Sequence, residues 1–335
     1  TSAMELGLLT WRINIGAIIV LILMDFLTVS RKPHEVQFRE ALLWSIFYIA
    51  VAIAFGVFVW FWQGGDYGTQ YFTAYLVEKS LSVDNLFVFI IILSQFAVPY
   101  ALHQRVLLVG VVLALIMRAI FIAIGAAALA AFAFTFVIFG AILIWTGVQL
   151  MRHRNEDPDP LDNPVIKMVR KKFAFTDTYD GSKLFTHING AKVATPLLFV
   201  MIAIGATDLL FALDSIPATF GVTQEPYLVF TANAFALLGL RALYFLLRGL
   251  LDKLIYLSTG LAVILMFIGV KLVLTYFHEL WPETVPKIPT EASLAVIIGI
   301  LIIVTVASWL KVRKNPDAIA HAGRVTATKD HTDQA

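Results

Sequence analysis

Glu78-Lys79-Ser80-Leu81-Ser82-Val83-Asp84-Asn85 and Thr207-Asp208-Leu209-Leu210-Phe211-Ala212-Leu213-Asp214-Ser215-Ile216-Pro217 place acids in the middle of long apolar runs. A carboxylate at bilayer depth costs at least about 2.5 kcal/mol on insertion scales, so each needs a partner or a use. The two stretches also share a spacing, because Glu78 and Asp84 are six residues apart and so are Asp208 and Asp214. One acidic device is written twice.

Around these stretches, hydrophobic residues fill 59% of 335 positions and charged residues only 14%, against roughly 45–50% and about 25% in soluble domains. The mean hydropathy is +0.83. The chain reads as an all-α, polytopic membrane protein. Apolar runs of about 20 residues, the length needed to cross a bilayer, predict about nine transmembrane helices at 11–29, 41–62, 71–96, 106–130, 132–151, 193–214, 227–247, 254–277 and 292–310.

Three pairs of blocks recur in one order. They are the acidic stretches; Met117-Arg118-Ala119-Ile120-Phe121 against Leu240-Arg241-Ala242-Leu243-Tyr244; and Ala141-Ile142-Leu143-Ile144-Trp145-Thr146-Gly147 against Val263-Ile264-Leu265-Met266-Phe267-Ile268-Gly269. They lay spans three to five over spans six to eight, and an offset of three spans inverts the second copy in the membrane. The expected organisation is two leading helices (1–66), a three-helix repeat (67–151), a loop (152–192), an inverted three-helix repeat (193–278), a ninth helix (279–312) and a tail (313–335). Inverted repeats are a plan of secondary transporters, which place their sites near the midplane between the copies.

Lys and Arg cluster in alternate loops, at 31–39, 152–192 and beyond 310. The positive-inside rule then puts the N-terminus outside and the C-terminus in the cytoplasm. The basic segment Ile166-Lys167-Met168-Val169-Arg170-Lys171-Lys172-Phe173 reads as a linker helix on the anionic leaflet, so membrane lipid is an expected partner. With basic residues arranged by topology, the net charge of +2 gives no reason to expect nucleic acid.

The chain has no cysteine, and its seven histidines fall in loops, span ends or the tail. Thiolate sites are excluded and zinc or copper sites in the core are disfavoured. What remains in the membrane is oxygen: Glu78, Asp84, Asp208 and Asp214, with Ser82, Asn85, Ser215 and Asn233 as neutral ligands. Ser80, Ser82 and Pro217 predict that the two acid-bearing helices unwind at their motifs and add carbonyl oxygens. Such a set suits a hard divalent ion: manganese, magnesium or calcium. Arg118, Arg241 and Lys79 are the expected counter-charges, and Asp25 is a candidate member of the ion pathway. The competing view of the same residues is that acids and arginines only staple helices together.

The acidic stretches, continued by Leu86-Phe87-Val88 and by Ala218, together with Leu240-Arg241-Ala242-Leu243-Tyr244-Phe245, resemble the signature blocks of the TerC family of integral membrane proteins. Its long form has two extra leading spans, as here. The resemblance implies manganese export, with calcium handling in some members and distant kinship to the LysE superfamily. It places the metal residues on Glu78, Asp84, Asp208 and Asp214, and the protein in the bacterial cytoplasmic membrane. The expectation is therefore a carrier of Mn2+ as transported ion, without a prosthetic group, and not an enzyme. A non-transporting scaffold or envelope-stress partner is the rival. A two-aspartate intramembrane protease needs no such symmetry, and no Gly-Lys-Ser/Thr phosphate loop is present for a nucleotide-driven pump.

Overall fold

The computed structural model describes residues 7–30, 38–155, 167–168, 171–172, 179–181, 183–247 and 253–320. Its helices are α1 (Leu8–Ser30), α2 (Phe38–Gln63), α3 (Gly65–Gln95), α4 (His103–Ala131), α5 (Thr135–Arg152), α6 (Pro196–Val222), α7 (Pro226–Leu237), α8 (Leu240–Leu247), α9 (Leu257–Leu280) and α10 (Thr290–Lys314). A polytopic all-α membrane protein is what the composition demanded. With no water at bilayer depth, only helices satisfy every backbone group within a segment.

By length and apolarity, six described helices can cross a membrane: α1, α2, α4, α5, α9 and α10; α7 with α8 makes a seventh if that bent pair is one span. The acid-bearing α3 and α6, at 31 and 27 residues, are long enough but are not among them. The fourth and fifth predicted spans are separated at Phe132-Ala133-Phe134, where the backbone of Phe132 turns extended.

Glycine contacts define how the two repeats meet. A Cβ at Gly140 on α5 would lie 2.7 Å from the carbonyl oxygen of Gly269 on α9, and one at Gly147 would lie 2.8 Å from that of Ala262. As position rises along α5 it falls along α9, so these third helices of the two repeats run antiparallel. Gly140 aligns with Ala262, and Gly147 with Gly269, so the two contacts exchange under the repeat. Close backbone approach through small residues is the usual way to gain van der Waals contact between helices in lipid. Around this centre α3 packs on α7 and α4 packs on α6, again one helix from each repeat. On α1, α2 and α10, large apolar side chains such as Leu9, Phe61 and Ile303 face outward, where lipid is their solvent.

Three sequence expectations change. First, α3 and α6 do not unwind: α6 runs through Pro217, and α3 through its whole motif. Ser80 donates its hydroxyl to the Leu76 carbonyl (2.7 Å) one turn back, and the single Thr219 hydroxyl proton is shared between the Ser215 carbonyl (2.9 Å) and Glu78, so both helices stay intact. Pro217 removes one donor and releases only the Leu213 carbonyl. Second, the real break lies elsewhere, at Gly239 (φ +78°), between α7 and α8. Third, the long loop holds a hairpin, β1 (Phe185–Ile188) with β2 (Ala191–Ala194), closed by Asn189 and Gly190 at φ +53° and +80°. Asn-Gly with both residues left-handed is the sequence signal of a tight hairpin turn. Of the expected linker helix, 167–168 and 171–172 are helical and the rest lies outside the described residues.

Candidate metal centre

Because α3 is continuous, residues four and seven along it share a face while a residue six along is turned by about 240°. Glu78, Ser82 and Asn85 therefore form one buried row, at 0%, 1% and 6% exposure. On α6 the matching row is Asp208, Ser215 and Thr219, all buried. Both rows point between the repeats, where Arg118 of α4 waits.

Arg118 joins the rows. Its Nε and Nη2 donate to Asp208 Oδ2 at 3.2 Å and Oδ1 at 2.9 Å, a two-toothed fork. Its Nη1 donates to Glu78 Oε2 at 3.2 Å, Ser215 Oγ at 3.0 Å and Asn233 Oδ1 at 3.3 Å. Ser215 passes its own hydrogen to Glu78, 2.7 Å from either carboxylate oxygen, and the Thr219 hydroxyl reaches Glu78 Oε1. Six polar side chains from four helices thus close one network with almost no access to water. A guanidinium suits it because its planar fork matches a carboxylate and it keeps its charge when buried.

Two carboxylates against one guanidinium leave a negative charge when all are ionised. Oxygen atoms of Glu78, Asp208, Ser215, Thr219 and Asn233 surround that charge, a donor set without nitrogen or sulfur. The ligands fit a hard divalent cation in kind. Among the described residues no cluster of three or more His, Cys, Asp or Glu stands at metal-holding distance; the network brings together two acids, both held by Arg118. Two buried polar atoms here, Ser82 Oγ and Asn233 Nδ2, have no hydrogen-bond partner.

The remaining sequence candidates separate. The side chains of Asp84 and Asp214 lie outside the described residues; their backbones belong to α3 and α6. Arg241 does not join the acids of the repeats: its Nε donates to Asp25 Oδ1 at 3.0 Å and its Nη2 reaches the same oxygen, so Asp25 of α1 is its counter-charge. Lys79 points its Nζ at the Ala236 carbonyl, 3.4 Å away at the C-terminal end of α7, where the helix dipole favours a cation. Asn85 is buried on α3 beside Ser82 in sequence and on the same face. Thr219 escaped sequence reading. Its signal was the spacing Asp208, Ser215, Thr219, which makes a face only if α6 continues through Pro217.

Among known proteins, the family model for integral membrane proteins of the TerC family matches residues 63–316. An uncharacterised membrane protein of Myxococcus xanthus is 43% identical over 315 residues, covering 94% of this chain and 96% of its own. An uncharacterised membrane protein of Mycobacterium tuberculosis (strain H37Rv) is 45% identical over 329 residues, covering 94% of this chain and 83% of its own. A protein of Escherichia coli (strain K12), whose name proposes a membrane-bound redox modulator, Alx, is 37% identical over 304 residues, 88% of this chain and 92% of its own. No solved structure matches. With a match across both acid-bearing helices and both arginines, this chain belongs to the TerC family of integral membrane proteins.

Proposed function

We propose that this protein is a secondary transporter that exports a divalent metal cation, manganese first and calcium second, through the cluster around Glu78 and Asp208. One observation carries the reading. Matching acids from two inverted repeats end on a single buried guanidinium among hydroxyl and amide oxygens. A salt bridge that only fastened helices would need one acid, and burying a second without gain is unfavourable. The cation enters as Arg118 yields the carboxylates to it, and alternating access follows from the two copies exchanging conformations. The clustering of Lys and Arg in alternate loops supports a C-terminus in the cytoplasm and residence in the bacterial cytoplasmic membrane.

The name of the Escherichia coli relative suggests a redox role as a second reading. A chain without cysteine has no thiol to cycle, so a thiol-based redox role finds no support in these residues. The test is flux of manganese, calcium and magnesium into vesicles holding purified protein. Manganese flux should fall to background in Glu78→Gln and in Asp208→Asn. Undiminished flux in both variants at normal protein levels would overturn the reading.

A further inference from the structure

Arg118 and Arg241 hold matching places in the two repeats, yet only one of them holds the acids of the repeats. Arg241 is 1% exposed and its carboxylate comes from Asp25, itself 4% exposed and 216 positions away in sequence. Asp25 also lies outside residues 63–316, the part matched by the family model. The leading helices therefore supply what the second repeat lacks.

They do so at the break. Arg241 stands two residues beyond Gly239, where α7 ends and α8 begins. The Tyr48 ring of α2 lies against Gly239, close enough that a Cβ there would meet it at 2.7 Å. The Tyr48 hydroxyl in turn donates to the Leu21 carbonyl at 3.4 Å, one turn before Asp25 on α1. The break and the start of the helix after it are thus gripped by α2 and α1, the first through packing on Gly239 and the second through an ion pair to Arg241.

We propose that Asp25 is a positioning residue: by parking Arg241 it latches the α7–α8 break in the pose seen here, and opening of the Asp25–Arg241 pair lets the second repeat change conformation. A buried pair suits a latch, since it is stable only while both charges remain together and leaves two unpaired charges when strained apart. A break at a left-handed glycine suits a hinge, since other residues resist that backbone shape. The latch extends the transport reading and rests on it only for the effect of the cation.

The absence of native cysteine allows a direct test. Ser45 is buried on α2, one turn before Tyr48, and α2 packs on α8. With Ser45→Cys as the single thiol in the full chain in vesicles, maleimide labelling reports opening between these helices. The background should label slowly without manganese and change rate with it. In Asp25→Asn/Arg241→Gln, which removes both charges and leaves neither unpaired, labelling should rise about tenfold or more and ignore manganese. The charge-swapped Asp25→Arg/Arg241→Asp should return toward the background rate. Slow labelling of the neutral pair overturns the latch. So does a neutral pair whose melting temperature falls by more than about 10 °C with no rescue by the swap, since that marks a plain structural staple. Should the background itself ignore manganese while the neutral pair labels fast, the latch stands and the transport reading falls.

Discussion

Glu78 and Asp208 occupy the same position in the two repeats and come to one guanidinium, at 3.2 Å and 2.9 Å from Arg118. The pairing crosses the repeat interface, so the two halves of the protein are tied at their most polar point.

Removing that tie should be severe. Arg118→Gln leaves two carboxylates buried without a cation, and breaking a buried pair in this way costs about 3–5 kcal/mol. Arg118→Lys should rescue only in part, because an ammonium cannot fork onto Asp208 while also reaching Glu78. Melting curves of the detergent-purified variants check both; a melting temperature for Arg118→Gln equal to wild type would remove Arg118 from its structural role.

Thr219 tests the continuous α6. Thr219→Val keeps the shape of the side chain but loses the hydroxyl that meets Glu78. A hydrogen bond to a charged group contributes about 1.5–3 kcal/mol, so manganese affinity should change by about tenfold or more. Calorimetric titration of the purified protein measures it. If α6 instead unwound at Pro217, Thr219 would leave this face and the substitution would be silent.

The crossing of α5 and α9 should tolerate no side chain. Gly140→Val forces a branched group against the Gly269 backbone, where even a Cβ would sit at 2.7 Å. Overpacking of this kind destabilises by about 1–3 kcal/mol, and backbone on both sides leaves little room to adjust. Gly16→Val, which meets nothing within 4 Å, is the control. Equal thermal stability of the two variants would argue against the glycine contact.

Outside the membrane, Tyr179 docks the segment before the hairpin by donating to the Phe96 carbonyl at 2.6 Å, and burial holds its phenol above the usual range. A phenol raised in the folded state favours folding below the unfolded value of about 10 and loses that contribution as pH rises from there through the higher folded value. Protection of this segment in hydrogen exchange should therefore fall at high pH in wild type. In Tyr179→Phe it should be lower throughout and less steep with pH.

Much of this protein was legible from local pattern. Apolar run lengths mark a polytopic all-α membrane protein, and the order of three blocks marks a repeated element before any contact is known. The acids announce themselves by cost, since lipid tolerates none without cause. Less legible was helix continuity. Ser80 and Pro217 read as breakers because such residues often are, yet in α3 and α6 the hydroxyls bond back along the helix and the proline releases one carbonyl. A continuous helix sets Glu78 opposite Asp208 on Arg118 and brings in Thr219, whereas the side chains of Asp84 and Asp214 lie outside the described residues. The hairpin at Asn189-Gly190 was readable from its turn and was masked by the basic residues before it.

The sequence by itself determined the membrane class, the doubled acidic element and the oxygen-only chemistry of the site, because composition and period are local properties. Only the tertiary structure decided which charge meets which. Arg118 and Arg241 are equivalent in sequence, but one is surrounded by acids of both repeats and the other by Asp25 of a helix outside them. Electrostatic pairing depends on distance in space and on burial, and neither is written along the chain.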